Sequence, residues 1–190
     1  MSNLQSERLS LNGKQWILPQ PGPSPARGPL PQWLMSILAR RGLSDTNEIS
    51  SFLTKSLATL DDPLLIADMP LALARIEQAL KKEEKITIYG DYDVDGVCAT
   101  SVLVEFLRFL GGNVDFYIPD RRAEGYGLNP DAIEHIAKTS QLLITVDCGI
   151  TAQRELELAQ SLGLDSIVVD HHQVPDTLPP TVACLNPQRD

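Results

Sequence analysis

Acidic side chains are concentrated in the segment Gly90–Gly96, which reads GDYDVDG and carries Asp91, Asp93 and Asp95. Like charges this close repel one another, so a fold rarely gathers them for stability alone. A bound multivalent cation is the commonest physical reason for such a cluster. Taken alone, the segment could also be a solvated loop or the acidic first turn of a helix. We interpret it as one part of a metal site.

Two later segments offer further metal-ligand chemistry, namely Asp147 and the tripeptide Asp170-His171-His172. Carboxylates with imidazoles, and no thiolate motif, suit hard or borderline ions such as Mn(II) or Mg(II). Aspartates two positions apart can hold two ions about 3.5–4 Å from each other when a shared aspartate bridges the ions. We therefore expect two divalent ions. In isolation, Asp147 could be a helix-start residue and His171-His172 a surface pair.

Alternating apolar segments must bring these residues together. The pattern predicts strands at 85–89, 113–118, 142–146, 166–169 and a short run at 182–185, with helices at about 97–110, from Asn129-Pro130, and at about 151–162. Strands that alternate with helices of this length form parallel sheets, and strands that are apolar on both faces are buried in them. The sequence predicts an α/β fold whose parallel five-stranded sheet has flanking helices.

Each candidate residue follows the carboxyl end of a predicted strand, and those ends lie on one edge of a parallel sheet. Arg121 and Arg122 follow the second strand and offer a bidentate grip on a phosphate, although a plain solvated loop is the alternative reading. Gly96 lets the backbone approach a substrate closely, and the helix that follows presents its positive end to a phosphate. The sheet edge is therefore the predicted active site.

The N-terminal part has a different character. Prolines in the segment Pro19–Pro25 exclude regular structure, so we expect an extended tail there. Pro31 and Asp45 are then well placed at the starts of two short amphipathic helices. We expect an N-terminal tail and helical subdomain over residues 1–69 and the α/β domain over residues 70–190.

Composition restricts the class of protein. No apolar run reaches the roughly 18 residues of a membrane helix, so we expect no membrane association. The three cysteines favour reduced, buried thiols in a cytoplasmic protein. A net charge of -9 is unusual for a nucleic-acid coat protein but compatible with an enzyme, because clustered acids that hold metals lower the net charge.

In order and spacing, the segment Gly90–Gly96, the motif TVDCG around Asp147, and Asp170-His171-His172 resemble the first three motifs of the DHH phosphoesterase family. The segments 118–128 and 184–187 are similar to the branch of that family formed by single-strand-specific 5′→3′ DNA exonucleases. The likeness covers nearly the whole chain. It implies a metal-dependent hydrolase that removes nucleotides from single-stranded DNA in repair and recombination, with a single-strand binding protein or a helicase as possible partners.

The resemblance also implies roles for individual residues. Asp93 and Asp95 would be ligands of the two metals, Asp147 would bridge them, and His171 would bind the second ion. His172 and Asp147 would act in catalysis, and His172 would contact the scissile phosphate or assist proton transfer. The substrate-binding residues would be Arg121, Arg122, Gly96 and His172, with Arg121 on the DNA backbone or its 5′ end.

Two departures from the family pattern stand out. Many members have a histidine where this chain has Tyr89, which is a poor ligand, so Asp91 or water is expected to take that place. The family also has a further metal-binding aspartate and a C-terminal substrate-binding domain, so we expect this chain to be the N-terminal portion of a longer enzyme. Two alternatives remain: a DHH phosphoesterase for short oligonucleotides, cyclic dinucleotides or pyrophosphate, and a non-catalytic binding module.

Overall fold

A computed structural model describes residues 12–14, 30–54 and 56–189 of the chain. Contacts within the chain divide it into two compact units, Met1–Leu60 and Asp61–Asp190. The predicted tail at Pro19–Pro25 lies outside the described residues. No helix in the described ranges combines the length and the apolar character that a membrane crossing would need.

The first unit contains helix α1 (Gln32–Arg40), helix α2 (Thr46–Leu53) and a 3₁₀ turn at Leu57–Thr59. Asp45 caps α2 as predicted, because its side chain accepts hydrogen bonds from the backbone N–H groups of Asn47 and Glu48 at 2.8 and 3.1 Å. A small core formed by Met35, Leu38 and Ile49 lies between the two helices.

The second unit begins with a 3₁₀ turn at Pro63–Leu65 and continues through four helices and five strands. The helices are α3 (Met69–Lys81), α4 (Val94–Phe109), α5 (Pro130–Ala137) and α6 (Gln153–Ser161). The strands are β1 (Lys85–Gly90), β2 (Asn113–Tyr117), β3 (Leu142–Val146), β4 (Asp165–Val169) and β5 (Ala183–Leu185).

All five strands are parallel and lie in the order β2-β1-β3-β4-β5. This confirms the predicted α/β fold with a parallel five-stranded sheet. Side chains of β1 alternate between two hydrophobic cores: Ile88 faces the core that α3 and α4 cover, and Tyr89 faces the core beneath α5 and α6. Every residue of β3 is buried, as expected for a central strand covered on both faces.

The strand order reverses direction between β1 and β3. From β1 the chain crosses to β2 on one side, and it then returns to β3 on the other side of β1. Such a switch point leaves a crevice at the carboxyl ends of the two strands. Gly90 pairs with Val146 in the last register position, so Asp91 and Asp147 leave the sheet side by side.

Three details differ from the sequence prediction. Helix α4 begins at Val94, earlier than predicted, because Asp93 caps it. On α3, Leu73 is exposed and Arg75 is buried, although the apolar stripe was expected to include Leu73. The prediction that the cysteines are buried was wrong for Cys98, which lies on the solvent face of α4.

The compact second unit already includes the segment 61–69, where Ile66 and Met69 pack against its core. The predicted division into domains of residues 1–69 and 70–190 stays a prediction. What the contacts establish is that Met69 and the turn before it belong with the α/β sheet.

Arg75 joins α3 to the amino ends of the strands. Its Nε donates to Asp165 Oδ2 at 2.6 Å, and its guanidinium lies 2.7 Å from Glu84 Oε2. The same guanidinium donates to the Gln141 carbonyl at 3.3 Å. The arginine side chain is 9% exposed and that of Asp165 is 51% exposed, so solvent screens part of this network.

We expect Arg75→Ala to lower the free energy of unfolding by about 2–3 kcal/mol, because it leaves Glu84 and the Gln141 carbonyl without their partner. The control is Lys81→Ala, which removes an exposed ion pair with Glu77 on the same helix and should change stability by no more than about 0.5 kcal/mol. Urea denaturation measures both. Equal effects of the two variants would contradict the structural role of Arg75.

Candidate metal centre

Asp91 is the first residue after β1, and it is 3% exposed. Its Oδ1 is buried and has no hydrogen-bond partner among the described residues. A buried carboxylate oxygen without a partner is strongly unfavourable unless a cation compensates its charge. This atom is the clearest sign that the crevice is built for a metal ion.

Asp93 is held by the helix it caps. Its Oδ1 accepts from the N–H groups of Asp95 and Gly96 at 2.9 and 3.1 Å. These bonds, the one from Gly96 first, lower the pKa of Asp93. Gly96 allows the arrangement, since a Cβ on this residue would lie 2.4 Å from the Asp91 carbonyl oxygen. Helix α4 can therefore close directly onto Asp91.

Asp147 leaves β3 with a left-handed backbone (φ 62°), and its N–H donates to the Val169 carbonyl at 3.0 Å. Burial, and then a hydrogen bond with the Asp93 carboxyl group, raise the pKa of Asp147. Candidate ligand atoms of Asp91, Asp93 and Asp147 all lie within 4.8 Å of one another. The structure thus brings three predicted ligands into one group.

A second group shares Asp147 with the first. Ligand atoms of Asp147, His171 and His172 lie within 4.8 Å of one another, and His171 Nε2 is 2.9 Å from Asp147 Oδ1. Oxygen and imidazole donors of this kind fit Mn(II) or Mg(II). Because Asp147 belongs to both groups, it occupies the place that a bridging ligand between two ions requires.

Asp170, to which the sequence analysis gave no role, organises the histidines. Its buried Oδ1 accepts from the N–H groups of His171 and His172 at 2.7 and 3.1 Å and lies 2.7 Å from His172 Nδ1. Its Oδ2 accepts from Ile150 N–H at 3.0 Å. Burial alone would raise the pKa of Asp170, but these hydrogen bonds outweigh burial and lower it.

The contact with Asp170 defines the state of His172. A carboxylate only accepts, so His172 Nδ1 carries the hydrogen and Nε2 faces the site. The hydrogen bond to Asp170 is also the main cause that raises the pKa of His172. The only sequence signal for this dyad was the position of Asp170 at a strand end beside the two histidines.

Asp95 belongs to neither group of ligand atoms. It lines a cavity of about 450 Å³ next to Asp147 and His171, whose other walls are mostly apolar. The structure therefore places Asp95 beside the two groups, and its assignment as a ligand stays a prediction. The assignment of Gly96 to the substrate also stays a prediction, because its N–H donates to Asp93.

Tyr89 points away from the metal groups into the core under α5 and α6. Its hydroxyl donates to the Gly127 carbonyl at 2.9 Å, and its ring stacks on Tyr117 with centroids 5.2 Å apart. Burial raises the pKa of Tyr89, so the phenol stays neutral. Tyr89 thus fixes the loop that carries Tyr126, while Asp91 lies within the metal groups.

Aromatic rings lead from the loop after β2 to His172. We define Tyr92, Tyr126 and His172 as the aromatic row. The Tyr92 and Tyr126 rings meet edge to face at 6.4 Å, and the Tyr126 and His172 rings at 6.1 Å. The Arg121 guanidinium lies 5.3 Å from the Tyr92 ring, and Arg122 is exposed on the same loop. Sequence reasoning missed both tyrosines, although both adjoin motifs that it quoted.

Asp147→Asn should stabilise the metal-free chain by roughly 1 kcal/mol, because it removes one of the facing carboxylates, and asparagine tolerates a left-handed backbone. The same variant should lose most of the rise in melting temperature that Mn(II) gives the wild type. Thermal unfolding with and without Mn(II) measures both effects. A variant that responds to Mn(II) like the wild type would contradict the shared role of Asp147.

Comparison with known proteins agrees with this geometry. Residues 85–190 match the family model described as "DHH family, N-terminal domain". The chain is 44% identical over 155 residues to the single-stranded-DNA-specific exonuclease RecJ of Bacillus subtilis, covering 81% of this chain and 20% of the relative. It is 35% identical to RecJ of Escherichia coli over 160 residues, covering 83% of this chain and 27% of the relative.

A solved structure gives the same result. The crystal structure of RecJ from Thermus thermophilus in complex with Mn²⁺ superposes with a TM-score of 0.61 at 31% identity, covering 79% of this chain and 20% of that chain. The chain thus spans about a fifth to a quarter of the length of these relatives. The family model covers the whole sheet and every residue of the two ligand groups, and this chain belongs to the DHH family.

Proposed function

We propose that this chain is the metal-binding part of a single-stranded-DNA-specific 5′→3′ exonuclease that uses two divalent ions, Mn(II) or Mg(II), in DNA repair and recombination. The observation that carries the proposal is the pair of ligand groups sharing Asp147. The identity to RecJ exonucleases and the likeness to a manganese-bound RecJ structure support it. It would work in the cytoplasm.

In this proposal Asp91, Asp93 and Asp147 hold one ion, and Asp147 with His171 holds the second, next to Asp95 in the cavity wall. Bound there, the two ions would supply the positive charge that activates water and stabilises the phosphorus undergoing attack. The protein's own contribution is to fix the carboxylates: Asp93 by the cap of α4, and Asp147 by its backbone bond to Val169.

His172 would contact the scissile phosphate. Its Nδ1 is engaged by Asp170, so Nε2 is the atom that can face a phosphate oxygen or assist proton transfer. The neighbouring Tyr126 hydroxyl, 3.5 Å from Nε2, limits the directions from which a phosphate can approach. Asp170 thus acts through His172 by orienting its ring and stabilising its charged form.

The aromatic row supports a single-stranded substrate. Unpaired bases can stack on exposed aromatic rings, whereas bases in a duplex have both faces covered. Tyr126 is 57% exposed, and Arg121 at the far end of the row can reach the backbone or a 5′ phosphate, together with Arg122. A single-strand binding protein or a helicase would be a fitting partner, because either one presents unpaired DNA.

Tyr126→Ala should weaken binding of single-stranded DNA by about 1–3 kcal/mol, the free energy of stacking one base on an aromatic side chain. Tyr126→Phe should retain most of this affinity, because the ring remains. Fluorescence anisotropy with the full-length polypeptide that carries this sequence measures both, in the Asp147→Asn background to prevent cleavage. Equal losses for the two variants would show that the hydroxyl, and not the ring, contacts the DNA.

The decisive test of the function uses the same full-length polypeptide with Mn(II) and end-labelled single-stranded DNA, blocked at the 5′ or at the 3′ end. We expect release of nucleotides only when the 5′ end is free, and a loss of at least about 100-fold in Asp147→Asn and His172→Gln. The control is His135→Gln, which changes an exposed histidine on α5 and should leave the rate unchanged.

Each remaining outcome points elsewhere. Hydrolysis of only short oligonucleotides, cyclic dinucleotides or pyrophosphate would assign another DHH phosphoesterase activity. Metal binding without hydrolysis of any of these substrates would favour the non-catalytic binding module. Cleavage by Asp147→Asn at the wild-type rate would contradict the two-ion site itself.

A further inference from the structure

The turn that follows β5 holds the main chain of the two histidines. Asn186 Nδ2 donates to the His172 carbonyl oxygen at 2.9 Å, and Gln188 Nε2 donates to the carbonyl oxygen of His171. Asn186 Oδ1 accepts from the N–H of Gln188 at 2.8 Å, so the first amide also orients the second. Both contacts with the histidines join the segment after β4 to the segment after β5.

Burial makes Asn186 the rigid member of this pair. It is 1% exposed, whereas Gln188 lies at the surface. The turn is closed at its far end by Arg189, whose guanidinium donates to Asp68 Oδ2 at 2.6 Å and contacts the Cys184 carbonyl. Asp68 in turn accepts from Cys184 N–H at 3.2 Å. The amide of Asn186 therefore projects from an anchored segment.

With these contacts, every main-chain polar group of His171 and His172 has a partner. Their N–H groups donate to Asp170, and their carbonyl groups accept from Gln188 and Asn186. The imidazole rings are much less confined, since the side chains of His171 and His172 are 61% and 47% exposed. The position of the rings must come from the backbone, because packing does not supply it.

We propose that Asn186 is a positioning residue, which holds the His171–His172 backbone so that the His171 ring meets Asp147 and the His172 ring meets Asp170. Its amide N–H does this without occupying either ring nitrogen that faces the site. The part of the inference that concerns DNA hydrolysis rests on the proposed function, whereas the part that concerns backbone order and metal affinity does not.

The test compares Asn186→Asp with Asn186→Ala in the 190-residue chain. Aspartate keeps the shape and the acceptor for Gln188 N–H but has no donor for the His172 carbonyl. The control is Gln173→Glu, which adds the same charge on the same loop and leaves Asn186 in place. Amide hydrogen exchange of His171 and His172, Mn(II) binding by calorimetry, and thermal unfolding are measured for each variant.

We expect both Asn186 variants to exchange the His171 and His172 amides faster and to bind Mn(II) at least about tenfold more weakly, the size of effect that outer partners of metal ligands have. Amides of the central strand β3 should keep their protection, and the control should match the wild type. Unchanged exchange at the histidines, or a loss of protection throughout β3, would overturn the proposal, since Asn186 would then be dispensable or merely part of the core.

In the full-length polypeptide, Asn186→Asp should lower kcat for single-stranded DNA by at least about tenfold while KM stays close to that of the wild type, because the aromatic row is untouched. A rise in KM with kcat unchanged would contradict the positioning role. If the polypeptide cleaves no DNA, but exchange and Mn(II) affinity change as expected, the positioning role stands and the proposed function fails.

Discussion

The central constraint on this structure is the repulsion among carboxylates gathered at one point of the sheet edge. Asp91, Asp93 and Asp147 converge where the strand order reverses, and Asp91 Oδ1 is buried without a partner among the described residues. In a low-dielectric crevice such an arrangement is unfavourable unless a proton or a cation lies between the groups. The raised pKa of Asp147 is the same repulsion seen from one member of the cluster, added to the effect of burial.

The fold resists this repulsion with backbone devices. Asp93 is fixed as the cap of α4, Gly96 lets that helix approach Asp91 closely, and Asp147 is tied to β4 through its own N–H. Asp170 differs, because four hydrogen bonds satisfy its carboxylate and it serves the histidines. Of the two buried acids Asp91 and Asp170, only Asp91 keeps an oxygen free for a ligand.

The sequence predicted the sheet and the convergence of its strand ends, because both follow from the alternation of strands and helices. It also named every residue of the two ligand groups. It could not reveal the dyad of Asp170 and His172, the aromatic row, or the exposure of Cys98, since these depend on side-chain directions after each strand or around each helix. Leu73 and Arg75 show the same limit: which of two neighbouring helix residues is buried was decided by the acids Glu84 and Asp165 across the fold.

The account depends most directly on where a metal ion binds, and anomalous diffraction from crystals of this chain soaked in Mn(II) measures that position. We predict a peak among the carboxylates of Asp91, Asp93 and Asp147, and a second peak between Asp147 and His171. Both peaks should vanish in Asp147→Asn, and the fold should be unchanged. Manganese bound elsewhere, or peaks that persist in the variant, would contradict the shared site.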